Sequence, residues 1–266
     1  MWRLLGAVSM GYFREEFWGD FVFREYDEFR LKSPGYAIIA VPGAGLVGVI
    51  GASHIIKSLG MKEVGGIDSY TCLPPIAVIS RREVKLPIRI FYKENLMLIY
   101  SEFMPPIQAL PQLVRALVHY VERKGAEYLF LMSGIPIPNR FDVEKLRTYY
   151  IATTPKAEEL VKNVDVVPFE NGYLVGPYAL LLKESIRYRF NSIVLLTESF
   201  MEFPDPEASA KNIEVFSKLT GLKIEVKELL EQAEVIRIKA RDAMRNTMHN
   251  LAQMRKDYEY AVPLHI

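Results

Sequence analysis

Apolar and polar positions along this chain follow two periods, short extended runs and longer helical stripes, punctuated by Gly and Pro. Phe21–Tyr26 and Tyr36–Val41 predict strands, and Leu46–Leu59 predicts a helix that Gly60 stops. Glu63–Asp68, Ile76–Ser80, Leu86–Tyr92 and Leu96–Ser101 follow as four extended runs with almost no helix between them; the Lys93-Glu94-Asn95 turn folds the last two into a hairpin. Leu113, Leu117 and Val121 restore helical spacing over Pro111–Lys124, Gly125 ends that helix, and Tyr128–Met132 reads as a buried strand. Ile135-Pro136-Ile137-Pro138 predicts a rigid extended loop. A helix over Ala179–Phe190 leads into another apolar strand, Ser192–Leu196. Asp205 as N-cap, Pro206 in the first helical position and Glu207 on the helix dipole predict a helix to about Leu219, closed by Gly221.

Between the strand Tyr36–Val41 and its helix stands Gly43-x-Gly45-x-x-Gly48, the spelling of a turn that lets backbone approach a pyrophosphate at a helix N-terminus. Asp68 falls 20 positions after Gly48, where such folds hold a ribose hydroxyl. Two readings stay open. One is a nucleoside- or nucleotide-processing α/β enzyme that binds its ligand through Gly43, Gly45, Gly48 and Asp68. The other is a tight strand-to-helix turn whose glycines serve packing. The run of strands after Asp68 weighs against the first, because a doubly wound domain needs a crossover helix there. The pattern therefore predicts an α/β class: a single domain over residues 1–222, with a mixed twisted sheet covered by helices, then a C-terminal helix and tail over 223–266.

Composition narrows the classes further. The 266 residues are 50% hydrophobic and 24% charged, as in an ordinary globular protein, and the net charge of +1 gives no reason to expect nucleic acid or an anionic membrane as partner. The lone Cys72 leaves no disulfide framework or multi-thiolate zinc site and fits a reducing cytoplasm. Arg14, Glu15 and Glu16 cut short the apolar start MWRLLGAVSM, so no export signal is expected, and no apolar run approaches the roughly 18–20 residues that span a bilayer. His54, His119, His249 and His265 show no ligand spacing, and Ser133-Gly134 lacks a Gly-x-Ser-x-Gly elbow. No metal, no cofactor and no catalytic residue are expected.

Residues 226–258 contain neither Gly nor Pro. Leu230, Ala233, Ile236, Ala240, Met244, Met248, Leu251 and Met254 recur three or four apart among charged residues, one stripe of a long helix. A helix of about 30 residues would extend about 45 Å at 1.5 Å per residue, so the stripe needs a surface to cover it. That surface is either the helix's own domain or a second subunit, which makes Ile236, Ala240, Met244, Met248 and Leu251 candidate oligomer contacts. The chain then ends Tyr258-Glu259-Tyr260-Ala261-Val262-Pro263-Leu264-His265-Ile266, apolar and aromatic where free termini are usually polar. Tyr258, Tyr260, Leu264, His265 and Ile266 are candidate partner-binding residues.

The order of these features resembles the proteasome assembly chaperone 2 family, especially its archaeal homologues. The resemblance rests on Tyr36–Gly60 with Val41-Pro42-Gly43-Ala44-Gly45-Leu46-Val47-Gly48, on Ile67–Ile79 with Leu73-Pro74-Pro75, on the hairpin around Lys93–Asn95 and on Leu129–Gly134, across roughly residues 20–220. It implies an α/β sandwich like those of phosphorylases and hydrolases but without their catalytic residues. It also implies a homo-oligomer, a ring-like tetramer or pentamer, that assembles or engages the proteasome core through its α-subunits or beside a paralogous chaperone. Members that touch the proteasome commonly end in a hydrophobic residue, tyrosine and any residue. Here Leu264 and the terminal carboxylate match, and His265 stands where that tyrosine is expected.

Overall fold

The computed structural model describes residues 13–80 and 82–233. Within them the chain runs β1 (Arg14–Trp18), β2 (Phe21–Glu25), β3 (Tyr36–Ala40), α1 (Val47–Leu59), β4 (Lys62–Asp68), β5 (Val78–Ser80), β6 (Glu83–Lys85), β7 (Ile88–Lys93), β8 (Leu96–Ser101) and α2 (Leu110–Arg123). It continues through β9 (Tyr128–Pro136), β10 (Thr148–Ala152), α3 (Pro155–Val161), β11 (Val167–Pro168), α4 (Pro177–Tyr188), β12 (Asn191–Ser199) and α5 (Pro206–Thr220). Ten strands form one mixed sheet in the order β1-β2-β4-β7-β8-β3-β9-β12-β10-β11, and β5 with β6 forms a separate ribbon.

The centre of the sheet, β8-β3-β9-β12, is parallel. The flank β1-β2-β4-β7-β8 is antiparallel throughout, as the run of strands without crossover helices requires. Each central strand is apolar on both faces because helices cover both. In Tyr36-Ala37-Ile38-Ile39-Ala40, Ala37 and Ile39 face the core under α2 and α4, while Tyr36, Ile38 and Ala40 face the core under α1, α3 and α5. The stripe Leu113, Leu117 and Val121 is buried against the first of these cores.

Local signals set most boundaries. Gly60 caps α1 in the left-handed conformation, and Asp205 caps α5, accepting from the Ala208 N–H, with Pro206 next. β7 and β8 form the expected hairpin, Lys93 opposite Leu96.

Other expectations need correction. β9 does not stop at Met132: it runs through Ile135 and Pro136, because β12 is equally long and pairs with it as far as Ser199. The segment Ile135–Pro136 is therefore strand rather than loop. The run around Ile76–Ser80 leaves the main sheet and pairs with Glu83–Lys85 instead. β1, β6, β10, α3 and β11 went unpredicted. α3 carried a visible signal, since Thr154 accepts from the Ala157 N–H as N-cap before Pro155, the same device as Asp205-Pro206.

Residues 227–233 are helical, in keeping with a helix that starts near 226. Leu229 and Ala233 are its buried positions, whereas Leu230, assigned to the apolar stripe, is exposed. Glu225 O meets His54 Nε2, and Glu228 pairs with Lys57 Nζ, which ties this segment to α1. Ile236, Ala240, Met244, Met248, Leu251, Tyr258, Tyr260, Leu264, His265 and Ile266 lie outside the described residues. No helix among the described residues is long and apolar enough to cross a membrane.

Candidate functional site

In open α/β sheets, ligands gather where parallel strands end at their C-terminal edge. Here that edge is made by β3, β9 and β12 and the turn 41–48. Gly45 has φ 61°, and Leu46 follows in the left-handed region at φ 50°. The glycines bring this turn against the chain itself. A Cβ on Gly48 would stand 2.2 Å from Met132 O, one on Gly45 3.0 Å from Ser199 Cβ, and one on Gly43 2.9 Å from Ser133 Oγ. The Asp205 N–H donates to Gly45 O at 2.8 Å. The close approach is of the turn and the start of α1 to β9 and β12, as in the packing reading.

The crevice between β3 and β9 is occupied by the Tyr178 phenol of α4. Its oxygen accepts from the Val41 N–H at 3.3 Å and lies 3.0 Å from Met132 O, to which it donates. Burial raises its pKa far above that of a free tyrosine, so the phenol stays neutral. Across the turn, Arg140 is buried against Asp205, donates to Glu207 Oε2 at 2.8 Å and stacks its guanidinium 5.0 Å from the Phe200 ring centroid. Burial alone would lower the Arg140 pKa, but Asp205 and Glu207 hold it above its ordinary value. Asp205 is saturated, since it also accepts from the N–H groups of Phe200 and Ala208. A buried charged cluster thus packs against the backbone of Gly45.

Asp68 shares this edge but not this site. β4 is three strands from β3, about 14 Å at the usual 4.8 Å spacing. Its carboxylate accepts from the Ser69 N–H and faces Arg24. The four residues of the ligand-binding reading are therefore not brought together. Among the described residues no three His, Cys, Asp or Glu side chains converge as a metal site. Ring packing accounts for His119, between Trp18 and Tyr188, and Cys72 is a free, half-buried thiol.

The same edge carries apolar groups outward. Phe141 and Phe200 pack at a tilt with centroids 4.5 Å apart, Phe203 packs edge-on to Phe200, and Met201, Phe203 and Leu46 are exposed. On the antiparallel flank, Ile79 and Val84 face each other across the ribbon and are both exposed. Clusters of exposed apolar side chains mark surfaces that meet other proteins. Arg140, Tyr178 and these apolar edges escaped sequence reading, because an Arg in a loop or a Tyr at a helix start carries no spacing signal.

A model of the PAC2 family matches residues 37–244. An uncharacterized protein of Methanocaldococcus jannaschii is 26% identical over 236 residues, 89% of this chain and 96% of its own. The chain is also similar to the crystal structure of Pyrococcus furiosus PbaA, described as an archaeal homologue of proteasome-assembly chaperone, with TM-score 0.74, 27% identity and coverage of 88% of this chain and 98% of that one. Pyrococcus furiosus PbaB, described as an archaeal proteasome activator, has the same fold: TM-score 0.72 at 20% identity, over 86% of this chain and 99% of that one. The strand–glycine turn–helix unit, the antiparallel flank and the parallel centre are thus those of a known group, and the chain belongs to the PAC2 family.

Proposed function

We propose that this protein is a non-enzymatic homologue of the proteasome assembly chaperones, a cytoplasmic homo-oligomer that binds protein partners. The observation that carries this reading is the likeness to PbaA over nearly the whole of both chains, at 27% identity. The filled crevice supports it, because Tyr178 and the Arg140–Asp205–Glu207 cluster leave an edge suited to contact rather than chemistry. Its partners are proteasome α-subunits or a paralogous assembly chaperone. Ile236, Ala240, Met244, Met248 and Leu251 contribute oligomer contacts, and Tyr258, Tyr260, Leu264, His265 and Ile266 contribute partner contacts. With His265 in place of a tyrosine, an equal reading is that the tail packs within the oligomer or that a paralogous subunit provides the proteasome contact.

The test is native mass by light scattering after size exclusion, for the protein alone and mixed with proteasome α-subunits. A stable homo-oligomer that co-elutes with the α-subunits is expected. A monomer that ignores them, with a melting temperature raised by a nucleotide or phosphate, would return the Gly43–Gly48 enzyme reading. Deleting Tyr258–Ile266 should weaken oligomerisation or partner binding and leave the domain folded; unchanged mass and binding would remove the tail from the account.

A further inference from the structure

On the α1 side, the antiparallel flank extends beyond the helical layer. Glu63 of β4 stands opposite Phe91 of β7, and Arg89 of β7 opposite Tyr100 of β8. Because Ile88 and Ile90 point to the other core, Arg89 and Phe91 share a face with Tyr100. Over this platform lies a cavity of about 710 Å³, walled by the second half of α1 and by the β5–β6 ribbon. Sites for small molecules span roughly 300–1,000 Å³.

Two buried polar atoms on the cavity's platform have no partner among the described residues: Glu63 Oε1, an acceptor, and Arg89 Nε, a donor. The rest of each group is engaged. Glu63 Oε2 lies 3.7 Å from Lys85 Nζ, and Arg89 Nη2 donates to Glu102 Oε2 at 2.9 Å. The guanidinium sits 5.6 Å and 5.0 Å from the Phe91 and Tyr100 ring centroids. Burial raises the Glu63 carboxyl above its ordinary range, against the pull of Lys85 and Arg89. Glu63 and Arg89 nevertheless line the cavity, with 17% and 12% of their side-chain surface left open, so a carboxylate and a guanidinium on neighbouring strands offer a ligand one acceptor and one donor group.

The lining also carries both signs equally. Lys57, Lys85 and Arg89 stand against Glu63, Glu83 and Glu102, so net charge recommends neither a plain anion nor a plain cation. Ile56, Met61 and Phe91 give the same space an apolar side.

We propose that this cavity binds a small zwitterion of the α-amino-acid class, its ammonium donating to Glu63 and its carboxylate accepting from Arg89. The site is separate from the glycine turn, since it borders α1 from Ser53 to Gly60, and it does not depend on the proteasome reading.

The experiment adds the common free L-amino acids singly, at millimolar concentration, to the full-length protein, and reads melting temperature and amide chemical shifts. At least one should raise the melting temperature and move resonances of β4, β7 and β8. The corresponding amine without the carboxylate, and acid without the ammonium, should each bind about tenfold more weakly or worse. Glu63→Gln and Arg89→Gln should weaken binding similarly. If Arg89→Gln does not fold, Glu63→Gln carries the test, because it keeps the shape and exchanges an acceptor for a donor. Binding by no amino acid, equal binding by the amine alone, or unchanged binding in Glu63→Gln would overturn the proposal.

Discussion

Arg140 and Asp205, 65 residues apart in sequence, meet as a fork in which Nε donates to Oδ2 at 2.8 Å and Nη2 to Oδ1 at 3.0 Å. Both side chains are only 2% exposed. The pair fastens the loop after β9 to the start of α5, and the same carboxylate caps that helix. Removing one partner of a buried pair strands the other charge, at a cost of about 3–5 kcal/mol. Asp205→Ala should therefore lower the unfolding free energy, read from urea denaturation, by that amount, and Arg140→Met, which leaves Asp205 its backbone donors, by less. Equal, small effects would mean that the fork contributes little to stability.

The glycine turn makes a sharper comparison. Gly48→Ala would push a methyl to 2.2 Å from Met132 O, whereas at Gly51, one turn further along α1, the nearest atom is Ile213 Cγ1 at 3.7 Å. Gly48→Ala should destabilise by about 1–3 kcal/mol through overpacking. Gly51→Ala should stabilise by about 0.5–1 kcal/mol through helix propensity. Thermal unfolding of the two variants side by side checks both signs.

Tyr178 fills the β3–β9 crevice with a hydroxyl that both accepts and donates. Tyr178→Phe keeps the ring and strips the Val41 N–H of its phenolic acceptor. The expected loss is about 1–3 kcal/mol, read from chemical denaturation. A neutral result would show that these backbone groups find other partners.

Glu16 supplies a pH dependence. Its hydrogen bond from Arg123, reinforced by that guanidinium's charge, outweighs burial and holds the carboxyl below its ordinary 4.5. A depressed carboxyl stabilises the fold above the unfolded value, and that contribution is lost as pH falls through the folded value. Wild type should exceed Glu16→Gln in stability at neutral pH, and the gap should close on acidification below about pH 4.5. A gap independent of pH would assign the effect to shape rather than charge. Glu63 has the opposite sign: burial raises its pKa, so Glu63→Gln should not destabilise at neutral pH.

The class of fold, the mixed sheet and most helix ends could be read from residue order. Period, caps and turn residues act within a few positions, so Gly60, Gly221, Asp205 and the Lys93–Asn95 turn behave as their chemistry dictates. The edge strand β1, with Arg14, Glu15 and Glu16 in it, defeated the periodic reading because one face of an edge strand meets water. β9 ran past its expected end because its length is set by β12, a partner more than fifty residues away.

By itself the sequence determined that the Gly43–Gly48 turn joins a buried strand to a helix, and that the strands after it could not be doubly wound. Only the tertiary structure decided what the turn faces. The use of Gly48 depends on Met132, that of Gly45 on Ser199, and the closed crevice on Tyr178 and Arg140, contributed by other elements. The cavity over Glu63 and Arg89 is of the same kind, since strand pairing puts β4, β7 and β8 side by side and only folding lays the β5–β6 ribbon over them. Short-range order is written in local backbone preference, whereas a site is made by side chains whose distance along the chain carries no pattern.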